Sequence, residues 1–116
     1  MAISFLTDHP QALLKSFDAK ISQKEQKGKI TTWEKSNDGK YYTHKAEEWN
    51  KKAWFKPVIK DGELTFNIIK PGDQKVTVIV YGYYHGHLTE TFLNHFDGDF
   101  TWTSSTAKAT ADDNCG

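Results

Sequence analysis

The sequence predicts an α+β fold: an antiparallel β-meander sheet packed by an N-terminal amphipathic helix and a short C-terminal helix, in the order α-β-β-β-β-β-α-β. Three observations point there. Leu13, Leu14, Phe17 and Ile21 recur at helical spacing near the start. The middle of the chain, densest from Ala53 to Tyr84, alternates strand-prone runs with tight-turn signals. Leu88, Phe92, Leu93 and Phe96 then return to helical spacing.

Met1 to Leu6 reads as a short apolar lead-in. At Asp8-His9-Pro10-Gln11 a helix is expected to begin. Asp8 can accept from orphan N–H groups, Pro10 is tolerated in the first turn, and Gln11 stands three residues on, as in a capping box. Lys15, Asp18, Lys20 and Lys24 lie opposite the apolar stripe, and Gly28 supplies a stop after Lys24 and Lys27. Lys29–Lys35 and Lys40–Lys45 then flank the hairpin signal Ser36-Asn37-Asp38-Gly39. The polar run Ala46–Lys52 is left open between a helical turn, a bulged strand and a loop.

The next hairpin can be registered from the sequence. With Asp61 and Gly62 as a two-residue type I′ loop, Lys60 faces Glu63. The pairs continue Ile59–Leu64, Pro57–Phe66 and Phe55–Ile68 on one face, with Val58–Thr65, Lys56–Asn67 and Trp54–Ile69 on the other. Pro57 has no N–H for a ladder and places its strand at an edge or a bulge. Lys70-Pro71-Gly72-Asp73 fits a type II turn and leads to Val76–Tyr81. That run is apolar on both faces, as expected of a central strand covered on two sides. A short helix is expected over 87–96 and a last strand over Phe100–Thr103. Residues 1–103 form one α+β domain in this reading, and the Ser-, Thr-, Ala- and Asp-rich stretch 104–116 a disordered tail.

Composition narrows the function. A chain of 116 residues holds one modest core, and a formal net charge of zero supplies no global field toward nucleic acid or anionic lipid. The only cysteine, Cys115, cannot form an internal bridge, so the core must stabilise the fold, and a cytoplasmic location is expected. No apolar run is long enough for a signal peptide or a bilayer span.

No catalytic constellation stands out. There is no G-x-S-x-G elbow, no G-x-G-x-x-G and no P-loop. Glu47 and Glu48 sit in a lysine-rich polar stretch, and His44 and Glu90 are the remaining acid–base candidates. His85 and His87 form an H-x-H pair that would share one face if extended, with His95 too far along a helix to complete a zinc site. No metal or other cofactor is called for.

The leading expectation is therefore a non-catalytic protein-interaction module, homodimeric through its sheet, with Trp49, Trp54 and Val58 on the contact surface. The alternative is a small-ligand or enzymatic pocket at one strand end, lined by Tyr81, Tyr83, Tyr84, His85 and His87. A third reading sets Trp33, Tyr41, Tyr42, Trp49 and Trp54 among lysines as a single-stranded nucleic-acid surface. The complete absence of Arg, the side chain best suited to planar phosphate and base contacts, argues against it.

Overall fold

The computed structural model describes residues 1–116. The elements are β1 (Ile3–Leu6), α1 (Pro10–Ser22), β2 (Trp33–Lys35), β3 (Tyr42–His44), β4 (Trp54–Lys60), β5 (Glu63–Ile69), α2 (Val78–Phe96) and β6 (Trp102–Ser105). The strands form one six-stranded antiparallel sheet in the order β2-β3-β4-β5-β1-β6. The fold class is α+β, as the sequence indicates, but the element order is β-α-β-β-β-β-α-β.

The β4–β5 hairpin has the register derived from its pattern: Ile59 opposite Leu64, Pro57 opposite Phe66, Phe55 opposite Ile68 and Trp54 opposite Ile69. Its loop differs in type. Gly62 alone takes positive φ (75°), whereas Asp61 does not, so the mirror-image type I′ turn is absent. Pro57 is tolerated in an interior strand because β3 reaches β4 only at Phe55, leaving the chain at Pro57 without a partner on that side.

Both helices cover the same face of the sheet. Phe17 of α1 lies 5.0 Å from Phe92 of α2, and both rings pack on Phe66 of β5, at 5.8 and 5.7 Å. Phe92 also stacks on Phe5 of β1 at 4.2 Å. Ile3, Phe5, Trp33, Tyr42, Phe55, Leu64, Phe66 and Ile68 complete the core from the sheet side. Burying each such side chain contributes about 1.5–3 kcal/mol, and favourable ring pairs about 0.5–1.5 kcal/mol more.

Three expectations are corrected. The apolar lead-in is a strand, β1, inserted between β5 and β6 with Ile3 and Phe5 facing the helices. It makes β5, not Val76–Tyr81, the strand buried on both faces, from Leu64 to Ile68. Val76–Tyr81 leads into a 19-residue helix instead. The turn at Gly72 (φ 56°) is present, but Thr77 then caps a helix, its side chain accepting from Val80 N at 3.2 Å. Tyr81, Tyr84, Leu88, Phe92 and Phe96 form the buried stripe at helical spacing, and this burial overrides the β-propensity of the valine run. Finally, 104–116 is docked rather than disordered. Asn114 bridges Ile69 in parallel, in line with β1, and Asp113 accepts from Ile68 N (3.0 Å) and Thr110 N (2.7 Å) while pairing with the N-terminal ammonium (3.1 Å).

Smaller differences surround α1. Its N-cap is His9, without a side-chain cap, and Thr7 Oγ1 accepts from His9 N in place of a capping box at Asp8. The helix ends at Ser22, before Gly28. Ala46–Lys52 is a helical turn, with Asn50 N donating to Ala46 O at 2.8 Å and Lys51 at φ 59°.

Candidate functional site

Residues 81–87 lie on the first half of α2, so their side chains radiate instead of converging at a strand end. Neighbouring helical positions turn by about 100°, which sets His85 and His87 about 200° apart and removes the H-x-H geometry. Tyr81 and His85 share one flank, their rings 5.7 Å apart, with the Tyr81 hydroxyl donating to Ala2 O at 3.3 Å. Burial pushes the Tyr81 phenol up to about 12 and lowers the His85 imidazole. Tyr84 points into the core. Its hydroxyl donates to Trp49 O, accepts from Lys52 N at 3.2 Å, and lies 3.1 Å from Thr43 Oγ1.

Tyr83 and His87 occupy the other flank, and there a cluster forms. Trp49 stacks on Tyr83 at 3.8 Å and 10°, and Tyr83 stacks on His87 at 4.1 Å and 20°. His44, at the end of β3, sets its Nε2 3.2 Å from His87 Nδ1. His44 and Trp49 lie far from Tyr83 and His87 in the sequence; only the crossing of α2 over the sheet end assembles the four. His44 is 2% exposed, enclosed by Trp33, Tyr83, Tyr84 and His87. Burial, with a smaller contribution from His87, lowers its pKa to about 4.

The protonation of His44 follows from its neighbours. Ala46 N–H donates to Nδ1 at 3.0 Å, so the ring hydrogen resides on Nε2 and is donated to His87 Nδ1. That hydrogen occupies the nitrogen a metal would need. No group of three or more His, Cys, Asp or Glu side chains converges elsewhere in the molecule.

The two main concavities lie away from this cluster. One, of about 330 Å³, lies between the start of α1 and the loop before β6, lined by Thr7, Asp8, His9, Ser16, Asp99 and Thr101 among others. The second, of about 490 Å³, opens between the β2–β3 turn and Trp54, which is its one hydrophobic lining residue. None of Tyr81, Tyr83, Tyr84, His85 or His87 lines either one.

The surface residues are distributed as follows. Trp54 and Val58 lie on the sheet face away from the helices and are half-buried, on the side of the sheet that also bears Lys56, Lys60, Thr65 and Asn67. Trp33 and Tyr42 are 1% exposed, so neither offers a ring to a nucleic-acid base. The exposed large apolar side chains are instead Val78 (70%), Ile79 (76%) and Leu93 (51%) on α2, with Trp102 on β6 and Ile59 on β4. Gly82 and Gly86 are exposed beside them, and a methyl group added at either would meet open space. Sequence reasoning missed this surface because it read Val78 and Ile79 as strand residues. The signal that could have found it is the single charged residue, Glu90, in the whole of α2.

No helix is long and apolar enough to cross a membrane. No protein-family profile matches the chain, and neither a curated protein nor a solved structure shows significant similarity to it.

Proposed function

We propose that this protein is a non-catalytic protein-interaction module that self-associates through the outer face of α2. One observation carries the reading: a 19-residue helix whose solvent side presents Val78, Ile79, Gly82, Gly86 and Leu93, with Glu90 its only charged residue. Gly in a helix interior costs roughly 0.5–1 kcal/mol relative to Ala. Here two of them meet no crowding inside the chain that would explain them. Close approach of a second helix is a use for both, and the flanking Val78, Ile79 and Leu93 supply apolar ridges for it.

Val78 and Val80 lie on α2, so they supply no apolar sheet face for pairing. Trp54 and Val58, half-buried on the sheet face away from the helices, remain the alternative contact surface. Sedimentation of the full chain over a concentration series tests the proposal, alongside Ile79→Lys and Val58→Lys variants. Expected are concentration-dependent association of the unmodified chain, loss of it in Ile79→Lys, and its retention in Val58→Lys. A strict monomer at every concentration overturns self-association. Loss in Val58→Lys alone moves the contact to the sheet.

A further inference from the structure

We infer that His44 and His87 form an acid-sensitive latch holding the 46–52 turn, and Trp49 with it, against α2. The observation is the chain of hydrogen bonds across three elements: Ala46 N–H to His44 Nδ1 (3.0 Å), then His44 Nε2–H to His87 Nδ1 (3.2 Å). His44 stands on β3 and His87 on α2, and Trp49 is layered on Tyr83 and through it on His87. The turn that carries Trp49 is thereby fastened to the helix.

Only one protonation state makes both bonds. His44 must accept at Nδ1 and donate at Nε2, and His87 must keep Nδ1 bare. A proton added to His87 Nδ1 sets two N–H groups against each other. A proton added to His44 Nδ1 meets the Ala46 N–H. Either addition removes a bond of the chain, and both rings charged would repel.

The surroundings supply no compensating anion. From α2 the groups facing His44 are Tyr83, Tyr84 and His87, and from β2 it is Trp33. From the turn come the Ala46 amide and Asn50, which donates to His44 O (2.8 Å) and to the Glu34 carboxylate (2.7 Å). Glu34 is thus engaged with Asn50, and neither imidazole is in an ion pair. The lowered pKa of buried His44 agrees in sign: the closed state takes up its proton later than an open one would.

The latch is independent of self-association, because it lies within one chain. Its test is amide hydrogen exchange by NMR with near-ultraviolet circular dichroism on the full chain as pH is lowered. Expected is a loss of protection over residues 46–52, up to about tenfold per pH unit between 6.5 and about 4, after correction for intrinsic exchange. The Trp49–Tyr83 signal should fade over the same range while the amides of Phe66 and Phe92 stay protected. A His44→Gln variant, whose amide can still donate to His87 Nδ1 but takes up no proton, should fold and show a shallower or absent pH response. Protection over 46–52 that is unchanged across this range overturns the latch, as does a His44→Gln variant whose protection falls with pH like that of the unmodified chain. Should His44→Gln fail to fold, the exchange profile of the unmodified chain still decides.

Discussion

The two helices lie on the same sheet face and meet through Phe17 and Phe92, yet they show water different surfaces. On α1 the exposed positions are Gln11, Ala12, Lys15, Ala19 and Ser22, with Leu13 and Phe17 buried. On α2 they include Val78, Ile79, Gly82, Gly86, Glu90, Leu93 and Asn94. The first is an ordinary amphipathic helix, apolar toward the sheet and polar or small outward. The second is apolar toward the sheet and keeps large apolar side chains outside as well. Packing of the core accounts for all of α1 and only the inner half of α2, and the remainder of α2 is what suggests a partner.

The contrast between the inner and outer halves of α2 gives the largest expected effect. Phe92→Ala removes a ring that touches Phe5, Phe17, Phe66 and Phe96, and should cost about 3–5 kcal/mol in a urea unfolding experiment. Leu93→Ala, next to it but half exposed, should change stability by no more than about 0.5 kcal/mol. Similar losses for both would mean that the outer face is covered within the monomer.

Tyr84→Phe should cost about 1–3 kcal/mol: the hydroxyl bonds Trp49 O, Lys52 N and the buried Ala53 N, and although Lys52 N and Trp49 O also pair with each other (3.2 Å), its loss takes away the partner of Ala53 N. Its signature is faster amide exchange across 49–53, with the far side of the sheet unaffected. No single polar contact of α1 gathers backbone groups in this way. The nearest comparison is Asp18, half-buried, which accepts from the Tyr42 hydroxyl and pairs with Lys35 at 3.5 Å. Burial and this carboxylate together push the Tyr42 phenol well above its ordinary value.

Acid should weaken the α2 side selectively. The folded pKa of His44 lies below its unfolded value of 6.5, so the unfolded state binds more protons between pH 6.5 and about 4. Stability is therefore full above pH 6.5 and declines as pH falls toward 4, by about 1–3 kcal/mol for this group. Chemical unfolding at a series of pH values reads it, and His44→Gln should flatten the slope in that window.

The smallest effect separates fold from association. Gly82→Ala should stabilise the isolated chain by roughly 0.5–1 kcal/mol, since the added methyl group meets open space and the helix gains propensity. In the proposed dimer the same methyl group would obstruct close helix approach, so thermal stability at high dilution should rise while association weakens. A substitution that strengthens both would leave the glycines without a role in contact.

Much of the architecture was legible because its causes are local. The register of β4 and β5 follows from alternation together with a two-residue loop, and it is correct to the residue although the loop is not type I′. The stripe of α1 was equally plain. Val76–Tyr81 was misread because valine and isoleucine favour strands, and the stripe Tyr81, Tyr84, Leu88 and Phe92 becomes visible only when the window runs past Tyr84. Of the cluster, Tyr83, Tyr84 and His87 were singled out from sequence, but their neighbours His44 and Trp49 were assigned to other roles. No spacing rule links the adjoining strand end and turn to a helix that lies so far along the chain.

What the amino-acid order settled alone were features whose free energy is stored between near neighbours: a turn at Gly62, a hairpin's pairing, one amphipathic helix. Tertiary structure decided where β1 inserts, that β5 is the strand buried on both faces, that both helices share one side, and that 104–116 docks beside Ile69. These depend on surfaces that exist only once distant segments have met, and burial of α2's aromatic stripe there outweighs the modest preference of a valine run for extended backbone.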